Sequence, residues 1–151
     1  MADHAVPKAL SGDKRSGAVR LWLIDETGVE VCRLLDFGGG AEELRSWFIT
    51  NRKALLEERL PIGEKGGCSI AQAVAQFYSN LDPDSGTGNL VECVYRYRTS
   101  HSLRFALRGT DVDDIYVGLF GDTYEVSFCR GEDRWRHAVD LPSFLNEVRA
   151  G

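Results

Sequence analysis

The spacing of apolar side chains changes period twice along this chain, and the order of those periods restricts the folds open to it. Ala18–Asp25 (AVRLWLID) and Val29–Phe37 (VEVCRLLDF) are rich in strand formers, and the intervening Glu26-Thr27-Gly28 is a hairpin signal. After the breaker Gly38-Gly39-Gly40 the pattern turns helical. In Ala41–Arg59, Leu44, Trp47, Phe48 and Leu55 form one stripe, with Glu42, Glu43, Arg45 and Arg52 elsewhere. Early acids and late bases also suit the helix dipole. Past a second breaker, Pro61–Gly67, Ser69-x-x-Gln72 has the form of a capping box. Ile70, Ala73, Val74, Phe77 and Leu81 make the second stripe, and Leu81–Gly88 reads as a loop.

The second half returns to strand character at Asn89–Thr99, Leu103–Arg108, Ile115–Phe120, Tyr124–Cys129 and Trp135–Val139. The short joints between these runs predict an antiparallel meander. Asp140-Leu141-Pro142 opens a last short helix, Ser143–Arg149, with proline near its first turn. The class is therefore α+β: an antiparallel, mostly meander sheet with two or three amphipathic helices packed on one face. Residues 1–17 are charged and aperiodic and are expected to form a flexible leader to a single domain spanning 18–151.

Composition narrows the function classes. With 43% apolar residues the chain can bury a core, yet no apolar run nears the ~20 residues of a membrane span, so no membrane partner is expected. A net charge of -5 gives no overall attraction to polyphosphate, so any nucleic-acid contact must come from a local basic patch. Cys32, Cys68, Cys93 and Cys129 are scattered without metal-ligand spacing, and His4, His101 and His137 are equally dispersed. Neither a metal nor another cofactor is expected, and the thiols read as reduced and buried or half-buried. The N-terminal stretch has no apolar h-region, which makes a cytoplasmic location the expectation.

One basic patch exists. Cys93–Thr110 holds Arg96, Arg98, Arg104, Arg108 and His101 without an acid. Strand alternation would place Arg96 and Arg98 on one face and Tyr95 and Tyr97 on the other, giving phosphate contacts and stacking aromatics. The competing reading is a solvated outer face whose arginines blunt strand pairing. Asp111, Asp113 and Asp114 follow directly; they lack the spacing of a calcium loop and are expected to neutralise the basic patch in part. Glu42-x-x-Arg45 reads as an intrahelical ion pair, and Gly38-Gly39-Gly40 as a joint without the lysine of a phosphate loop.

Leu103–Val126 (LRFALRGTDVDDIYVGLFGDTYEV) resembles the central hairpin of ribosome-inactivating proteins, especially the cereal type. Leu90–Arg98 (LVECVYRYR) is similar to the family's preceding strand, and Trp47–Ile62 (WFITNRKALLEERLPI) to its first helix and the connection after it. The resemblance covers residues 18–129, with an insertion around the second helix, and corresponds to the N-terminal half of the family. It implies an rRNA N-glycosidase-like fold, whose members remove one adenine from ribosomal RNA. On that likeness Tyr116 matches the tyrosine that stacks on the adenine, with Arg108 beside it. Tyr124, in Phe120-Gly121-Asp122-Thr123-Tyr124, looks like the second family tyrosine but lies much closer to the first. Arg96, Arg98 and Arg104 would contact RNA. The family's catalytic Glu-x-x-Arg helix has no counterpart after the hairpin. Glu147 and Arg149 are two apart, and Glu42-x-x-Arg45 precedes it. No catalytic pair is assigned.

Three readings follow. One is a truncated module of that kind, binding adenine, ribosomal RNA or a ribosomal protein without full glycosidase activity. The alternative is a small acidic protein-binding or inhibitor protein, such as a toxin-neutralising immunity protein. The third is an enzyme whose site no motif marks. The first expects Tyr116 in a concave pocket; the second expects it packed in the core. An open strand edge would also permit a homodimer.

Overall fold

Ala9–Asp13 (β1), Val19–Ile24 (β2) and Glu30–Phe37 (β3) form an antiparallel sheet in sequence order. The computed structural model describes residues 8–13, 19–64, 67–82, 88–107 and 111–150. The β2–β3 turn follows from its sequence. The Asp25 carboxylate accepts the Thr27 and Val29 backbone N–H groups at 2.9 and 3.0 Å, and Gly28 takes the positive φ of 84° that the turn requires. β3 carries two irregularities against β2, which leave Val31 and Leu34 outside the one-to-one register. β1 falls within the stretch expected to be a flexible leader. It is held because Leu10 is buried opposite Leu23, and because Lys8 bridges to Val139 through bonds of 2.8 and 3.0 Å.

Ala41–Thr50 (α1) and Arg52–Glu57 (α2) divide the helix expected over 41–59. The break lies at Asn51, whose side-chain Nδ2 and backbone N–H both donate to the Trp47 carbonyl. Gly40, which precedes α1, has φ 91°; a Cβ there would lie 2.6 Å from Leu107 Cδ2. That glycine is required by packing, beyond acting as a joint. The expected Glu42–Arg45 pair does not form, because Arg45 Nε instead donates to the Val148 carbonyl at 3.2 Å.

Ile70–Ser79 (α3) is capped as the sequence predicts, with Ser69 Oγ accepting the Gln72 N–H at 3.1 Å. Two further N–H groups of its first turn, from Ile70 and Ala71, go to Glu125 Oε2 at 2.8 Å and Ser127 Oγ at 3.1 Å.

Gly88–His101 (α4) replaces the strand expected at 89–99, and the segment expected as a strand at 103–108 begins with the 3-10 turn Leu103–Phe105. The physical reason is a stripe at helical spacing. Val94, Tyr97 and His101 are all buried, which a strand would have split between two faces.

Tyr116–Phe120 (β4), Thr123–Arg130 (β5) and Asp133–Val139 (β6) form the expected antiparallel meander, turning at Gly121 and Gly131, both with φ 61°. Leu141–Ala150 (α5) closes the chain, with Asp140 accepting from Ser143 N and Oγ. The α+β class therefore holds, with two three-stranded meanders in place of one sheet. The second meander is covered on both faces. Val117, Val126 and Phe128 join a core with Leu21, Leu23, Phe48 and Leu145, while Tyr116 joins another with Ile70, Val74, Val94 and Tyr97. No helix among the described residues is long and apolar enough to cross a membrane.

Candidate binding surface

The residues expected to meet a base or phosphate do not converge on a pocket. Tyr116 is 1% exposed. Its hydroxyl accepts from Arg98 Nε at 2.9 Å and donates to Asp114 Oδ2 at 3.1 Å. Burial first, and then the Asp114 carboxylate, push its ionisation far above the ordinary phenol range. The ring is walled in because α3 and α4 cover the sheet face it occupies, so it presents no face to a purine. Tyr124 is half-buried, and its hydroxyl donates to the Leu56 carbonyl at 2.9 Å, tying β5 to the end of α2.

Arg96 and Arg98 lie two apart on a helix and point in different directions. Arg96 is exposed and pairs with Glu92 at 3.0 Å. Arg98 is half-buried and pairs with Asp114 at 3.3 Å, so the adjacent basic and acidic runs do neutralise each other here. Ser102 Oγ also donates to Asp114, and Asp113 pairs with Arg130 at 3.0 Å. Arg104 is exposed on the 3-10 turn, and Arg108 lies outside the described residues. Among the described cysteines, Cys93 is exposed rather than buried or half-buried, because it falls on the solvent side of α4; Cys32, Cys68 and Cys129 are half-buried. Burial raises the Cys32 thiol, with Glu30 adding to it.

What the fold does assemble is a run of aromatic rings bridged by one guanidinium. Arg98 lies 5.3 Å from the Tyr78 ring centre and 5.5 Å from that of Phe105. Tyr78 meets Phe77 edge-on at 5.4 Å, and Phe105 meets Tyr95 edge-on at 5.8 Å. Tyr95, at the outer end, is 50% exposed. Beside Phe105 a groove of about 490 Å³ runs along α1, with Trp47 and Ala106 at its base, Asn51 at one end and Glu42 and Glu43 on its rim. The Trp47 indole is fixed by donation to the Thr99 carbonyl at 3.0 Å, which joins α1 to α4. Glu42 and Glu43 occupy the first turn of α1 and are exposed, and neither forms an ion pair with a described residue.

Sequence reasoning missed this surface because Tyr95 and Phe105 were read on strands. Only α4 and the 3-10 turn bring them together, and the stripe that holds Trp47 marks it in the sequence as a core residue. The surface combines aromatic and arginine contacts with an apolar floor and an acidic rim that pairs with no described cation. That combination suits a protein partner presenting basic side chains with aliphatic stems. Among the described residues no cluster of three or more His, Cys, Asp or Glu side chains gathers as a metal site requires. Compared with known proteins, the chain matches no family model, no curated protein and no solved structure.

Proposed function

We propose that this chain is a small acidic protein-binding protein of the inhibitor or immunity kind. Its partner would dock on the Tyr95–Phe105 pair and the α1 groove. The observation that carries this reading is the half-exposed Tyr95 set edge-on against Phe105, which itself lines a groove whose two rim carboxylates pair with no cation among the described residues. Aromatic and arginine side chains concentrate at the energetic centres of interfaces, and a rim charge steers a partner of opposite sign. A net charge of -5 adds long-range attraction for a basic protein. The burial of Tyr116 also fits this reading, because its hydroxyl and ring are already committed within the fold. The depurination-related reading rests on the sequence resemblance, and the position of Tyr116 lends it no support.

The test is affinity capture from the native host with the wild-type chain, Tyr95→Ala and the charge reversal Glu42→Lys/Glu43→Lys. Support would be one partner with a basic contact surface, held by the wild type, weakened at least about tenfold by Tyr95→Ala and slowed in association by the charge reversal. A partner held equally by all three proteins, or a sole partner that is ribosomal RNA, overturns the proposal.

A further inference from the structure

The opposite flank of α1 carries a second, chemically different hollow. A cavity of about 240 Å³ lies between α1, the start of α2 and α5, lined by Phe48, Ile49, Arg52, Leu145, Val148 and Arg149. Its walls are aliphatic and aromatic, and its two polar members are both arginines. Arg52 is anchored through Nη2, which donates to Asn146 Oδ1 at 2.9 Å. Its Nη1 is buried and makes no hydrogen bond to a described residue. Arg149 is exposed, and neither arginine pairs with a carboxylate among the described residues. The third arginine of this flank, Arg45, is already bonded to the Val148 carbonyl and so fixes α5 against α1.

A buried guanidinium donor without an acceptor is unfavourable, and an anion entering the hollow would offset that through the charge of the guanidinium. Arginine presents a planar donor fork that matches the two oxygens of a carboxylate. An apolar cavity of about 150 Å³ is enough to admit benzene, so this one has room for a short tail. We propose that this hollow binds a carboxylate carried on a short apolar tail, with its oxygens held between the Arg52 and Arg149 side chains that line it, and the tail against Phe48, Leu145 and Val148. Such a group occurs as a free organic acid or as the C-terminal residue of a peptide ending in leucine or phenylalanine. The site lies across α1 from the acidic groove and does not depend on the protein-binding proposal.

The experiment is an amide NMR titration of the full chain with hexanoate, hexanol, inorganic phosphate, and the peptide Gly-Gly-Leu in its free and C-amidated forms. Hexanoate or the free peptide should give saturable shifts at Ile49, Arg52, Leu145 and Val148 at millimolar concentration. Whichever of the two binds more tightly identifies the source of the carboxylate. Arg149→Ala, at an exposed position, should weaken that binding at least about threefold, and Arg52→Gln at least about tenfold. Heat unfolding of both variants confirms that they remain folded. No saturable shift with either carboxylate, equal response to hexanol or to the amidated peptide, tighter binding of phosphate, or wild-type affinity in a folded Arg149→Ala chain each overturns the proposal.

Discussion

The imidazole of His101 lies flat on the ring of Tyr97, with centres 3.8 Å apart and planes within 9°. One residue at the end of α4 thereby touches three elements. Its Nε2 lies 3.1 Å from the Ala54 carbonyl of α2, its Nδ1 lies 2.9 Å from both the Tyr97 carbonyl and Ser100 Oγ, and Gly118 of β4 passes beside it. A neutral ring satisfies this site by donating from Nε2 to Ala54 and accepting at Nδ1 from Ser100.

Burial lowers the His101 pKa to about 4, against the carbonyls of Tyr97 and Ala54, which favour the charged form. Glu58, 3.6 Å from Nδ1, is 49% exposed and does not offset that burial. Because the folded value lies below the unfolded one, the stabilisation is complete above about pH 6.5 and declines as pH falls towards 4. The expected loss is about 3 kcal/mol between those limits. His137, lowered by burial and then by Lys8, adds a loss of the same sign, whereas Glu58, raised by burial, opposes it at the acid end. Urea midpoints of the wild type and His101→Gln at pH 7.5 and pH 4.5 check this. The variant should be less stable at pH 7.5 and lose much less on acidification; equal losses in both proteins refute the assignment.

Gly118 permits that arrangement. A Cβ at this position would lie 2.8 Å from His101 Cδ2 and 3.3 Å from the Tyr97 hydroxyl, and both rings are buried. Gly118→Ala should cost about 1–3 kcal/mol in denaturant unfolding. In a His101→Ala background the same substitution should cost clearly less, so a double-mutant cycle measures the contact. An unchanged cost in both backgrounds would place the strain elsewhere.

Glu125 is 2% exposed on β5, where it accepts the Ile70 N–H and pairs with Arg136. Glu125→Ala leaves the N–H buried and unpaired at the first turn of α3 and should cost about 3 kcal/mol. Glu125→Gln keeps an acceptor there and should cost about 1 kcal/mol. Hydrogen exchange at Ile70 and Ala71 should accelerate far more in the alanine variant than in the glutamine one. Similar exchange in the two would mean that Glu125 does not cap the helix.

Tyr116→Phe removes the hydroxyl between Arg98 and Asp114 and should destabilise by about 1–2 kcal/mol, while Tyr116→Ala should cost about 3–5 kcal/mol. If Tyr116 is structural, no adenine is released from ribosomes incubated with the wild type or with either variant. Release by the wild type that disappears in a stable, folded Tyr116→Phe chain would return this residue to a substrate-binding role.

Local signals made several elements legible from the residues alone. Ser69 and Gln72 marked the start of α3, Asp25 and Gly28 sit at the turn read between two strands, and the glycines at 121 and 131 divided the last meander. Each depends on interactions within a few residues, which is what linear spacing records. The α4 segment was not legible, since Val94-Tyr95-Arg96-Tyr97-Arg98 alternates and is rich in strand formers. Its helical stripe of Val94, Tyr97 and His101 became decisive only through the surfaces of α2 and β4 that pack against it.

The candidate surfaces divide in the same way. The sequence by itself determined the α+β class, the acidic charge and the strand that carries Tyr116, because periodicity and composition are properties of neighbours along the chain. Tertiary structure alone decided that Tyr116 faces inward, that Glu125 caps a helix fifty-five residues away, and that Tyr95, Phe105 and Arg98 share one surface. Those outcomes depend on which element covers which face of the second meander, and burial across that distance leaves no trace in local spacing.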